Sequence, residues 1–234
     1  RLRGGSQNYP LVRSAPKFHL VLGKNMNNTL EYIIKKFNLD VSGRPPTEIH
    51  NINRTLMAQA LGELKFKVGA EIGVAQGDHA RTLCEGIPGV KLYCVDIWDR
   101  YPGYMEYTDR IDRYYKQASA SLSSFDCVFI KRFSMDATAD FADGSLDFVY
   151  IDGAHDFKNV ACDICEWSKK VRVGGIVFGH DYKRSIPGKS KYPVDVKDVV
   201  QAYMYSQGIR PWFVLTNDIR DPKFGRDNPG WMFV

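Results

Sequence analysis

Two short clusters in the second half of the chain carry side chains able to move a proton or hold a cation: Asp152-Gly-Ala-His155 and His180-Asp181-Tyr182. Each follows an apolar run, Leu146–Ile151 and Ile176–Gly179, of the length expected for a buried strand. Ends of adjacent strands share one edge of a sheet, so Asp152 and Asp181 are placed to share a divalent cation. Carboxylate oxygens suit magnesium or manganese, whereas His180 as a third donor favours a softer metal. His155, three residues beyond Asp152, can face the same cleft. Its imidazole titrates near neutrality, which makes it the candidate general base for removing a hydroxyl proton. The plain alternatives are that the two aspartates cap the following loops and that His155 caps the helix beginning near Asp156.

A second constellation lies earlier, in residues 67–77, KVGAEIGVAQG. A short apolar run reaches Glu71, turns through Gly73 and Gly77, and enters a helical stretch near Asp78. Strand, glycine turn and helix N-terminus form the usual place for a nucleotide-like ligand. Glycine is expected there because a side chain would keep the ligand from the backbone. About 20 residues past the turn, a further strand, KLYCVD, ends in Asp96, placed to accept hydrogen bonds from both ribose hydroxyls. The spacing is not G-x-G-x-x-G, since Ile72 and Val74 flank a lone Gly73, and this disfavours a dehydrogenase.

The elements that must position these residues alternate. Cys127–Lys131 reads as a third strand, followed by Ser134, Met135 and Asp136. A helix behind the Asp152 cluster is expected to bury Phe157, Val160, Ala161, Ile164 and Val171. Gly174 and Gly175 are expected to turn into the strand at Ile176, and Val196, Val199, Val200, Tyr203 and Met204 mark a helix ended by Gly208. Trp212–Leu215 and Trp231–Val234 read as a closing pair of short strands. Strands and helices alternating in this way predict a doubly wound, mostly parallel sheet. Upstream, Leu30, Ile33, Ile34 and Phe37 share one helical face, and Met57, Ala60, Leu61 and Leu64 another. Residues 6–65 therefore read as an N-terminal helical cap on a domain spanning 66–234. Residues 1–5, RLRGG, resemble the tail of ubiquitin and read as a tag or fusion remnant. Two loops at the same sheet edge, Tyr101–Lys116 and Lys183–Pro193, are candidate lids. Cys162-x-x-Cys165 has no second pair, and core and surface thiols explain it better than zinc or disulfide chemistry.

Composition narrows the classes. A chain of 234 residues with a net charge of +5 and dispersed basic residues permits an anionic substrate without pointing to nucleic acid. No apolar run approaches the ~18 residues that span a membrane. Five cysteines without framework spacing fit a reducing compartment, and the expected location is the cytoplasm.

The E-x-G-x-x-x-G turn followed by a strand-terminal Asp resembles the S-adenosylmethionine (SAM) site of class I methyltransferases. AEIGVAQG, YCVDIW, GSLDFVYIDGAHDFKNVACDICEW and VGGIVFGHDY together resemble methyltransferase family 24, over roughly residues 50–234. The resemblance implies a Rossmann-like seven-stranded sheet, mostly parallel with an antiparallel C-terminal pair. It implies SAM held by Glu71, Gly73, Val74, Gly77, Asp96, Trp98, Ser134, Met135 and Asp152. A divalent metal, Mg2+ or Mn2+, would sit on Asp152, His180 and Asp181, with His155 as the base. His180 departs from the family pattern, where a second carboxylate or an amide is usual. The Asn/Asp-Pro-Pro-aromatic motif of base and amine methyltransferases is absent after the fourth strand, which favours oxygen as the acceptor. The expected activity is O-methylation of a small hydroxylated molecule, a sugar or natural product among the options, by a protein compatible with homo-oligomer formation. A metal-independent enzyme using the same His155 and a non-catalytic SAM-binding module are the alternatives. The cluster around His155 speaks against the latter, because a binder needs no acid–base group.

Overall fold

The structure, a computed structural model, describes residues 28–102, 110–186, 189, 192–217 and 223–234. The RLRGG stretch, segment 6–26 and parts of both candidate lids lie outside the described residues. The elements run α1 (Asn28–Lys36), β1 (Thr47–Ile49), α2 (Arg54–Glu63), β2 (Val68–Ile72), α3 (Asp78–Gly86), β3 (Lys91–Asp96), α4 (Ile111–Ser121) and β4 (Cys127–Lys131). They continue with α5 (Ser134–Ala137), β5 (Leu146–Ile151), α6 (Phe157–Lys170), β6 (Val171–Gly179), α7 (Val196–Gln207), β7 (Phe213–Leu215) and β8 (Gly230–Phe233).

One sheet of eight strands, in the order β1-β7-β8-β6-β5-β2-β3-β4, organises the chain. Neighbours are parallel throughout except at β8, which runs antiparallel to both β6 and β7. The expected count of seven is corrected by β1, which pairs Thr47 with Phe213 and Ile49 with Leu215. Three residues carry no readable period, and pairing with a strand 166 positions away makes them a strand. The segment read as purely helical thus also supplies a sheet edge.

Alternation along the strands sorts side chains into two cores, one on each face. Leu92, Cys94, Phe148 and Tyr150 join the helices α1 to α4, while Val95, Val149 and Ile151 join α5, α6 and α7. Helix α6 keeps the expected period but not the expected set. It buries Val160, Asp163, Ile164 and Trp167, whereas Phe157 at its first turn is 57% exposed. Val171 lies beyond the helix, opening β6 against Leu146. Gly174 and Gly175 do not precede the strand but lie within it, where the register with β5 shifts between Leu146 and Phe148. Gly174 adopts φ +78°, and a Cβ on Gly175 would overlap the Asp147 carbonyl, so the irregularity needs both glycines. Helix α1 is tied to this point by the Thr29 hydroxyl, which donates to the Gly174 carbonyl at 2.7 Å.

Candidate active site

The carboxyl ends of the parallel strands open on a cavity of about 780 Å³. Its size suits a cofactor together with a small acceptor. Glu71, Gly73, Val74, Asp96, Ser134, Met135, Asp152, His155, His180 and Asp181 all line it, so most of the residues singled out in the sequence converge. Gly77 and Trp98 are not among the lining residues. Gly77 starts α3 with φ +88°. Trp98 is buried, and its indole N–H donates to the Ala75 carbonyl at 2.8 Å, propping the turn from behind.

The glycine turn is built for a reason the sequence reading did not give. Gly73 has φ +87°, and a Cβ there would collide with the carbonyl of Asp152 and with Gly153. Glycine is required because the turns after β2 and β5 touch. Asp96 then locks the turn. Its carboxylate accepts from the Val74 and Ala75 N–H groups at 2.9 Å each and from Trp98 N–H at 2.8 Å. Burial pushes its carboxyl up, against those backbone donors. With the Ile97 N–H also acting on the carboxyl, backbone donors take up most of its acceptor capacity.

Beneath the turn, Glu71 and His79 are 2% and 4% exposed, with Nδ1 of the imidazole 3.5 Å from Oε1 of the carboxyl. Burial, reinforced by Asp152, drives the Glu71 carboxyl well up; burial and Arg54 drive His79 well down. Both shifts favour the uncharged forms. Oε2 of Glu71 has no hydrogen-bond partner among the described residues, although Glu71 borders the cavity. An orphaned buried oxygen of this kind fits a polar ligand group able to hydrogen-bond to it.

On the opposite wall, Ser134 donates to Asp163 and accepts from the Trp167 indole N–H at 2.7 Å. Burial is the main cause raising the Asp163 carboxyl from 3.8 to about 7. Sequence reasoning missed Asp163, yet an acid at i+3 from Val160 and i+4 before Trp167 on a buried helical face was a visible signal. Its raised value has a consequence of definite sign. Between the unfolded and folded values the folded chain holds the extra proton, so stability falls as pH rises through that window and levels off above it. Asp163→Asn, which keeps the Ser134 bond, is expected to flatten this dependence and raise the melting temperature at mildly alkaline pH. Thermal denaturation across pH checks it; an unchanged slope would remove Asp163 from the account.

The densest chemistry lies between β5 and β6. His155 Nε2 is 2.9 Å from Asp181 Oδ2 and 3.4 Å from Asp152 Oδ1. Asp152, His155 and Asp181 offer donor atoms all within 4.8 Å of one another. His180 approaches the same carboxylates through Nδ1, at 3.5 Å from Asp181 and 3.8 Å from Asp152. Burial works against charge on Asp181, yet hydrogen bonds from His155 and His180 hold its carboxyl far below the usual range. His180 resists burial likewise: the Asp152, Asp181 and Asp227 carboxylates raise it to about 9. Two carboxylates and two imidazoles facing one another fit a divalent cation with mixed oxygen and nitrogen donors.

Three further residues were not read from the sequence. Tyr150 directs its hydroxyl at Asp152, 3.3 Å away. Arg54, at the start of α2, clamps Asp227 with Nε–Oδ2 2.7 Å and Nη2–Oδ1 3.2 Å. Their separation of 173 positions left no local pattern to find.

Residues 70–182 match the family model described as a methyltransferase domain. A comparison with curated proteins finds no matching sequence. Among solved structures, the O-methyltransferase from Bacillus cereus in complex with SAH (S-adenosylhomocysteine) superposes with a TM-score of 0.54 at 16% identity, covering 92% of this chain and 93% of that one. Cofactor-bound Rv0187 from MTB gives 0.54 at 16% identity, with 88% and 87% covered. An rRNA methylase from Streptococcus thermophilus gives 0.51 at 12% identity, with 77% and 95% covered. Identities this low establish a shared fold, and the range of these relatives shows that the fold does not choose the acceptor.

Proposed function

We propose that this chain is a class I SAM-dependent methyltransferase that methylates a hydroxyl of a small molecule with help from a divalent metal, a reading supported by the match of residues 70–182 to a methyltransferase domain model and by the fold shared with solved methyltransferases. The observation that carries this reading is the convergence of His155, His180, Asp152 and Asp181 on one another in the wall of the cavity. SAM would lie over the Gly73 turn, with Asp96 accepting from the ribose and Glu71 facing the cationic end. Its sulfonium makes the methyl group electrophilic, so the protein has to align the acceptor and remove one proton.

His155 takes the hydroxyl proton, and the Asp181 and Asp152 carboxylates stabilise the imidazolium that results. Asp152 and Asp181 would hold Mg2+ or Mn2+ with His180, and such an ion lowers the acceptor's pKa when bound. Two carboxylates with satisfied partners orient His155, while Tyr150 steadies Asp152 from below. A second reading is favoured by the 4.8 Å grouping: His155 is itself a metal donor beside Asp152 and Asp181. Mn2+ affinity separates the two, because loss of a base leaves it intact and loss of a ligand does not.

The N-terminal segment to residue 65 acts in this reading as a cap that also delivers Arg54 to the site. The five thiols, all free, fit the reducing environment of the cytoplasm, and no helix of the described residues is long and apolar enough to cross a membrane. The test is transfer of labelled methyl from SAM to a panel of catechols, sugars and other hydroxylated small molecules, run beside RNA. Label in an ether product supports the proposal. Label in RNA or in amines alone, with no ether product, would overturn it.

A further inference from the structure

The mechanism above leaves Arg54 and Asp227 without a task, though both are largely buried, with side chains 17% and 15% exposed. They come from opposite ends of the chain and meet at His180. Nε2 of His180 lies 2.7 Å from Asp227 Oδ1 and 3.0 Å from Arg54 Nη2. A guanidinium offers only hydrogens and a carboxylate only lone pairs, so the two contacts make opposite demands on Nε2. The shorter one, to a carboxylate already bound by Arg54 through two nitrogens, decides the matter: Nε2 carries a hydrogen and donates it to Asp227. Arg54 spends its own hydrogens on the same carboxylate, lies over the ring of Phe224 at 4.9 Å, and reaches Asp152 with Nη1 at 3.7 Å. With Nε2 committed, the other ring nitrogen, Nδ1, is turned to Asp181 and Asp152.

We infer that Asp227, held by Arg54, is a positioning residue that fixes the orientation of His180 and keeps a hydrogen on Nε2, so that Nδ1 is the nitrogen that faces Asp152 and Asp181 and that a divalent cation would take by displacing its proton to solvent. The site then has a nitrogen where an all-oxygen set would favour Mg2+, and it prefers a divalent cation that accepts imidazole, such as Mn2+. Partners that orient a ligating imidazole in this way commonly govern metal affinity. The inference rests on the metal reading of the proposed function and adds to it the residues that set the metal's class. It also explains why an N-terminal helix and a C-terminal loop are joined at this point, which a surface ion pair would not require.

The test is Mn2+ and Mg2+ titration of the full chain by calorimetry, with Mn2+ also followed by electron paramagnetic resonance, alongside SAH titration. Wild type is expected to bind Mn2+ more tightly than Mg2+. Asp227→Ala should weaken Mn2+ by roughly 10–100-fold, reduce the Mn2+ over Mg2+ preference, and leave SAH affinity unchanged. In a His180→Ala background the same substitution should have no further effect, because the residue acts through that ring. Asp227→Asn preserves shape and serves if the alanine variant does not fold; its single amide oxygen should give an intermediate Mn2+ affinity. Equal Mn2+ affinity in wild type and both Asp227 variants would overturn the inference while leaving the metal reading intact. So would an undiminished Asp227 effect in the His180→Ala background, which is the mark of a merely structural ion pair. Absence of Mn2+ binding by wild type would overturn the metal reading and this inference with it.

Discussion

His155→Ala is expected to lower kcat by roughly 10²–10⁴, the usual contribution of a general base, and to leave SAH binding nearly intact. The expectation comes from where the ring sits. Its side chain is only 12% exposed, it borders the cavity, and Nε2 is within 2.9 Å of one carboxylate and 3.4 Å of another. Two carboxylates that close can stabilise the imidazolium formed once the ring has taken a proton. None of these contacts involves the glycine turn or Asp96, so the cofactor should not register the loss. The acidic limb of the rate profile should also lose its imidazole-like inflection. Mn2+ affinity measured on the same variant assigns the role: retained affinity marks a base, lost affinity a ligand. Near-normal kcat with a lowered melting temperature would make His155 a structural residue and send the search for the base elsewhere.

Asp152→Asn is expected to lower kcat/KM by roughly 10²-fold or more, again with little effect on SAH. Four groups converge on the Asp152 carboxylate. His155 and His180 approach one oxygen at 3.4 and 3.8 Å, and Tyr150 and Arg54 the other at 3.3 and 3.7 Å. Asparagine keeps the shape but removes the charge that those donors and a cation share. Exhaustive chelation of wild type should produce a loss of the same kind, reversed by Mn2+ or Mg2+. Full turnover after chelation would instead support a metal-independent enzyme relying on His155 alone.

How far the sequence carried these conclusions depends on the range of the interactions. Strands β2 to β5 were legible to the residue or nearly so, because each is a short apolar run bounded by turn residues. The acidic residues at or beside their carboxyl ends, Glu71, Asp96 and Asp152, were legible for the same reason. Strand β1 was not, since TEI has no period and exists only by pairing with β7. Phe157 was misread as buried because a helical face was extended one turn past the point where its N-terminus meets the surface. Glycine was expected at position 73 for ligand approach, and the further constraint, contact with Asp152, needed the neighbouring turn to be visible. Asp96 was read as an acceptor for the ribose hydroxyls, and the N–H groups of the turn that also donate to it were not visible in the sequence. Arg54 and Asp227 are the limiting case: each is an ordinary charged residue in sequence, and only tertiary structure brings them to His180.

Calorimetric titration with SAH, with NAD as competitor, tests the central claim most directly. Wild type is expected to bind SAH in the micromolar range without competition from NAD, and Asp96→Ala to weaken SAH by on the order of 1–3 kcal/mol. Part of that loss would come from freeing the Val74, Ala75 and Trp98 N–H groups, and part from the ribose. Undiminished SAH affinity in Asp96→Ala, or displacement of SAH by NAD, would contradict the claim.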